Sequence, residues 1–363
     1  MSRSRLTLGL AITLTACGPS MLLGDGAPNP DGGSNGDGGS LETGPTRECR
    51  TPAPARPNTG DCDNPCACAE RDPPDFGCAQ SGRPSAASTD AQREGLTRAN
   101  YWRTAAGLAP FDAQAQIEQA AQAHAHFMAT TAQRTCWPGV HNEVMAGCTG
   151  FTGISPGDRM ATAGYQFSNW AEVINWEPTP SASVDGWIWT VYHRQPFMAW
   201  RLNEEGFGVE MGPFGTRTAS HDVMDFGTPR AGGGTAPPAP IVFPPPGLRD
   251  VPPAFRGDFE GPTPPAPAGG RWPSGTVISV HFPSNGWTIA SHELFLAPAC
   301  TAVPHTFNTF MNDANLSRSG PSNDVFMYAN TALQPSTEYV VRVNGMWNGQ
   351  PWGRTWAFTT RSR

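Results

Sequence analysis

The chain has 363 residues, room for two ordinary domains with linkers. Only 15% of them are charged, and Gly (41) and Pro (38) are abundant, a composition suited to loops and β-structure rather than long solvated helices. A net charge of −7 without any basic patch excludes a nucleic-acid footprint.

Arg3 and Arg5 precede an apolar run over 6–14, which ends in Leu14-Thr15-Ala16-Cys17. A charged start, a short apolar core and small residues before a cut predict a secretory signal over 1–16, too short for a transmembrane span. The LTAC stretch resembles the bacterial lipobox, whose cysteine is diacylated, so Cys17 is the expected lipidation site. An ordinary signal peptide is the alternative. The expected location is the cell envelope, lipid-anchored at the outer membrane or cell surface, or the secreted space.

Without Cys17, eight of the nine cysteines remain, an even number that fits disulfides in an oxidising compartment. Cys49, Cys62, Cys66, Cys68 and Cys78 cluster, whereas Cys136, Cys148 and Cys300 lie beyond. CDNPCAC at 62–68 also permits a zinc reading, but it lacks the paired C-x-x-C of structural zinc sites. Cys136 and Cys148 are candidates for a bridge closing the loop between them. Residues 17–87 read as a flexible lipidated tether with a Cys-rich segment, since 18–44 has no periodicity and almost no large apolar residue.

Order is expected from Ser88. Ser/Thr/Asp capping candidates lead into an amphipathic helix with Leu96, Asn100, Tyr101 and Ala105 on one face. A second helix is predicted over 112–131, where Ile117, Ala121, His124 and Met128 recur at helical spacing. That spacing makes His124 a satisfied core histidine and leaves His126 solvated. A loop over 136–156 precedes a helix at GDRMATAGY, and 183–194 (SVDGWIWTVYHR) reads as another helix. GFGVEMGPF and HDVMDFGTP have the Gly-bounded apolar character of strands. The order predicts an α+β domain over 88–230 with helices packed on an antiparallel sheet. RAGGGTAPPAP marks a linker at 231–240. Over 241–363, TVISVHF, HELFLA, VFMYA, EYVVRVNGMW and RTWAFTT predict an all-β sandwich of the immunoglobulin or fibronectin type.

Six pieces between Ala99 and Gly227 together resemble the CAP superfamily, which includes cysteine-rich secretory proteins, antigen 5, pathogenesis-related proteins and the bacterial SCP-like domain. They are ANYWRTAAGLAPF, IEQAAQAHAHFMATT, His141, GDRMATAGY, NWAEVI, and DGWIWTVYHRQPFMAW with GFGVEM. The matching order in bacterial members is N-x-x-R-x-x-x-G-L, A-x-x-H-A-x-x-M, a loop histidine, R-x-x-x-x-G-Y, G-E-N-I, then W-x-x-S-x-x-H-R with G-V-G. The resemblance covers about a third of the chain and implies an α-β-α sandwich. It also implies a cavity of two histidines and acids that binds a divalent metal in several members. By that implication His141, Glu172 and His193 are the candidate metal ligands, with Thr190 and Arg194 lining the cavity. Thr190 stands where many eukaryotic members have glutamate and bacterial ones serine, and Val173 replaces the asparagine of G-E-N-I.

Two neutral imidazoles and a carboxylate would suit zinc with an open position for water, with magnesium or calcium as further candidates. The alternative is a network in which the three only hydrogen-bond one another and pin loop, helix and sheet together without metal. No H-E-x-x-H helix or nucleophile motif identifies an enzyme. The expectation is a lipid-anchored protein binding a lipid, glycan or cell-wall component. The alternatives are a metal-dependent hydrolase of cell-wall or peptide substrates, and an adhesion protein acting through aromatics of the sandwich such as Trp347, Trp352 and Trp356. Arg194 is expected to pair with Asp158 or Glu172.

Overall fold

The α2 helix (Asp90–Ala105) begins at a capping box, in which the Thr89 side chain accepts from Gln92 N and the Gln92 side chain accepts from Thr89 N. This protein is described from a computed structural model over residues 62–74, 82–131, 134–316 and 322–362. The signal 1–16, Cys17, Cys49 and Cys78 lie outside the described residues. Before α2 stands only the short α1 (Pro65–Cys68). After it come β1 (Asp112–Ala113), α3 (Ala115–Thr130), α4 (Pro156–Thr162), β2 (Phe167–Asn175), α5 (Pro180–Ile188), α6 (Arg194–Met198), β3 (Glu204–Phe214) and β4 (Arg217–Pro229).

The four strands form one sheet in the order β1-β3-β4-β2, antiparallel except for the β1–β3 pair. Alternation splits each strand between two faces. Ala171, Val173, Phe207, Met224 and Phe226 share a core with Trp102 of α2, Trp187 of α5 and Phe197 of α6. On the other face, Ile174 and Val223 pack with Ala121, Ala125 and Met128 of α3. The result is three layers, helices on both sides of a sheet. Gly206 and Gly208 let α3 lie directly on β3, since a Cβ there would stand 2.1 and 2.2 Å from α3 backbone atoms.

Residues 241–362 form two antiparallel four-stranded sheets. One has the order β5 (Ile241–Phe243), β6 (Ile278–His281), β10 (Asp324–Ala329), β9 (His305–Asn308). The other runs β12 (Gln350–Thr359), β11 (Glu338–Trp347), β7 (Trp287–Leu296), β8 (Thr301–Ala302). Val280, Val325 and Met327 of the first sheet meet Leu294, Val341 and Val343 of the second in one core. Among the described residues no helix is long and apolar enough to cross a membrane.

Three expectations change. The helix expected over 183–194 breaks after Ile188 and resumes at Arg194. Arg194 Nε donates to Ile188 O (2.6 Å), while the N–H groups of Val191 and Tyr192 donate to Glu260, so side chains take bonds a continuous helix would use. The tether is not free throughout either. Residues 62–74 strap the sandwich: Glu70 bridges Trp356 of β12, Cys66 is bonded to Cys300, and Arg71 pairs with Glu338 at 2.9 Å. Finally, the linker separates sheets but not cores. Phe243 packs against Trp102 and Trp189 (5.7 and 5.2 Å between centroids), and one buried cluster runs from Leu96 to Phe358.

This continuity ties the stability of residues 88–230 to that of the sandwich. A chain ending at Arg230 should lose cooperative melting in calorimetry, whereas the full chain should melt in one transition. A sharp transition for the shortened chain at the temperature of the full one would refute the single unit.

Candidate functional site

Glu172 on β2 stands opposite Asp225 on β4, on the face covered by α3 and α4. Around them lie His124 from α3, Arg159 from α4, and His141 and Glu143 from the intervening loop, all buried. The disulfide Cys136–Cys148 closes that loop, and backbone bonds from Val144 N to Cys136 O and from Glu143 N to Ile154 O fix its course. Val140, just before His141, has φ +60°, unfavourable for a β-branched residue. Its carbonyl is held by His124 Nε2 at 2.8 Å, which helps to offset that strain.

His141 Nδ1 donates to Glu172 Oε1 at 2.7 Å, and Arg159 donates to Glu172 Oε2. Arg159 also donates to His141 O at 3.0 Å. His124 Nδ1 shares a proton with Glu143 Oε1 at 2.8 Å, and Glu143 Oε2 accepts Thr152 N at 2.8 Å. Burial alone would raise the Glu172 pKa, but the charges of Arg159, His124 and His141 overcome it and hold the carboxyl at about 2. Asp225 goes the other way. Burial, and then the Glu172 charge, push it well above the ordinary range, so it stays neutral. Burial and the Arg159 charge lower the His124 pKa.

The other candidates belong to a different centre. His193 comes from the segment joining α5 and α6, in the layer on the opposite side of the sheet from Arg159. Its Nδ1 lies 3.2 Å from Glu260 Oε1, beyond the linker, and 3.4 Å from Thr190 Oγ1. Thr190 Oγ1 donates to Trp187 O at 2.7 Å. Arg194 pairs with neither Asp158 nor Glu172. It donates to Ile188 O, to Ser279 Oγ (2.9 Å) and to Val277 O (3.0 Å), with its guanidinium over the Phe243 ring. Burial pulls its pKa down to about 9, partly offset by Glu260, so it remains cationic at neutral pH.

The structure therefore unites His141 with Glu172 and assigns His193 to Glu260. Among the described residues no three His, Cys, Asp or Glu side chains are arranged to hold a metal ion. The donor chemistry explains why the expected trio does not fit. Both Glu172 oxygens are engaged, one by His141 and one by the fixed positive charge of Arg159, where a cation would have to approach.

Several residues of these centres were not singled out from sequence. Arg159 had a signal, as the arginine of R-x-x-x-x-G-Y. Glu260 had none, lying in a Pro- and Gly-rich stretch. A second relay crosses to the sandwich: Ser279 Oγ bonds His281 Nε2, and His281 Nδ1 bonds Asp324 Oδ1, each at 2.8 Å. Gln195 of α6 donates to Asp324 at 2.6 Å. The order matches a serine hydrolase relay, but Ser279 is 1% exposed and its oxygen already accepts from Arg194, so it joins domains rather than attacking substrate.

Because the folded pKa of Glu172 lies below its ordinary 4.5, its stabilisation is complete above pH 4.5 and is lost as pH falls through about 2. Glu172→Gln should cost roughly 3–5 kcal/mol at pH 7 by stranding Arg159, and the penalty should shrink towards pH 2. Asp225→Asn should cost under about 1 kcal/mol, since the native acid is already neutral. Urea unfolding across pH 2–7 checks both. A pH-independent Glu172→Gln penalty would contradict the assignment.

Residues 96–220 match the family model described as CAP, the cysteine-rich secretory protein family. No curated protein and no solved structure matches the chain at a significant level. The matched span runs from α2 into β4 and contains His141, Glu172 and His193, so the family match supports a CAP domain in the three-layer half.

Proposed function

We propose that this is an exported lipoprotein, anchored through Cys17, whose CAP domain binds an apolar envelope component such as a lipid, without catalysis. The observation that carries the reading is the disulfide-closed loop. Met145 (67% exposed) stands out from it and Ile154 (62%) from the stretch just beyond Cys148, while His141, bonded to Glu172, and Glu143, bonded to Thr152, fasten both from beneath. Apolar side chains held out on a rigid loop suit an apolar ligand, because little ordering entropy remains to be lost on binding. The described disulfides and the CAP match support an extracellular setting.

The strand orders β5-β6-β10-β9 and β12-β11-β7-β8 support the immunoglobulin-like reading of the second half. They correspond to strands A-B-E-D facing G-F-C-C′. Stacking of sugars on its tryptophans gains little support: Trp356 is fully buried, and Trp347 and Trp352 pack against the core. The hydrolase reading loses its metal donor set, as described above.

A form carrying Cys17→Ser should no longer incorporate an alkyne-labelled fatty acid. The same form should co-sediment with phospholipid vesicles, and Met145→Glu combined with Ile154→Glu should weaken this at least about fivefold without lowering Tm. Unchanged sedimentation of the double variant would refute the loop as the binding element. Release of cell-wall fragments by purified protein would restore the hydrolase.

A further inference from the structure

The sandwich carries a histidine pair that neither the CAP centre nor the domain junction uses. His292 lies on β7 and His305 on β9, strands of different sheets, and their side chains meet across the sandwich. His292 Nδ1 is 2.8 Å from His305 Nε2. His305 Nδ1 donates to Val303 O at 2.9 Å, which fixes its tautomer and leaves the Nε2 lone pair facing His292. The His292 ring stacks on Phe307 with 3.9 Å between centroids and 6° between planes. Both histidines are half-buried, with an open side for water.

We propose that His292 and His305 form a two-imidazole site for a late first-row divalent cation, Cu2+ or Ni2+ best and Zn2+ next, with water completing the shell. Two nitrogens about 2.0–2.1 Å from one metal and at right angles to it are about 2.9 Å apart, close to the spacing here. A tetrahedral ion needs a wider bite, hence the preference. The second-shell bond from His305 Nδ1–H to a backbone carbonyl is the support that metal-bound histidines ordinarily have. On binding, the proton on His292 Nδ1 moves through solvent to Nε2, both rings turn their lone pairs onto the ion, and no proton is gained or lost overall.

Behind the pair, the Cys66–Cys300 bridge pins the β7–β8 connection that leads into β9, so the site is presented on a fixed frame. The test is calorimetric titration of Cu2+ and Ni2+ into the full chain, with Cu2+ paramagnetic resonance counting the bound nitrogens. One ion per chain with two imidazole nitrogens is expected. His292→Phe, which keeps a ring on Phe307, and His305→Gln should each weaken binding at least about tenfold. His126→Gln, at an exposed histidine beside Glu210, should leave it unchanged. Failure of the wild type to bind, or affinities of His292→Phe and His305→Gln within about twofold of it, would overturn the site.

Discussion

The Glu260 carboxylate accepts the consecutive backbone N–H groups of Val191, Tyr192 and His193, at 2.9, 2.6 and 3.4 Å. Beside it Arg194 reaches across to Val277 and Ser279. A buried carboxylate or guanidinium alone would be costly, and each is tolerated because several hydrogen bonds meet it. Much follows from this arrangement. The helix must break where its N–H groups turn to Glu260, the break sets the direction of α6, and α6 brings Phe197 and Met198 into the common core. Removing the acid would leave three donors and one histidine nitrogen facing a buried gap.

A second buried arginine organises the other side of the sheet. Arg159 binds the Glu172 carboxylate and the His141 carbonyl, and so ties α4, β2 and the loop together as Arg194 ties α6 to β6. Each cation meets oxygens from segments far apart in sequence, and in each case a histidine is fixed as a by-product. The two histidines expected to face one ion are thus spent on different partners. Neutral acids complete the picture. Asp225 and Glu205 are fully buried with raised pKa values, Glu205 through burial and then the Glu118 charge, and neither adds a further anion for Arg159 to balance.

Local patterns showed what depended on local chemistry. The helical spacing of Ile117, Ala121, His124 and Met128 identified the buried face of α3, and His124 is indeed a core histidine held by Glu143 and Val140. The alternating runs of the second half marked β6, β7, β10, β11 and β12, but not β9, whereas β5 and β8, of three and two residues, are too short to carry a period. For the site, the motif residues His141 and Glu172 were legible and their contact is real. His193 was legible as a residue but not as a partner, because Glu260 lies 67 positions away in a stretch without periodicity. The helix over 183–194 misled for the same reason: a distant carboxylate, not local propensity, ends α5.

The buried networks also bear on what the molecule can recognise. A centre whose carboxylate is saturated by arginine and histidine gains nothing by opening to a ligand, since entry would break charge-assisted bonds inside a dry core. The same bonds do useful work at a distance, because a loop tied down at His141, Glu143 and Cys148 can hold Met145 and Ile154 in water without collapsing onto itself. In this protein the residues that resemble a family's cavity act as the foundation of a surface. Under the proposed lipid-binding reading, selectivity would reside in the exposed Met145 and Ile154, which can change without disturbing the buried bonds of Arg159.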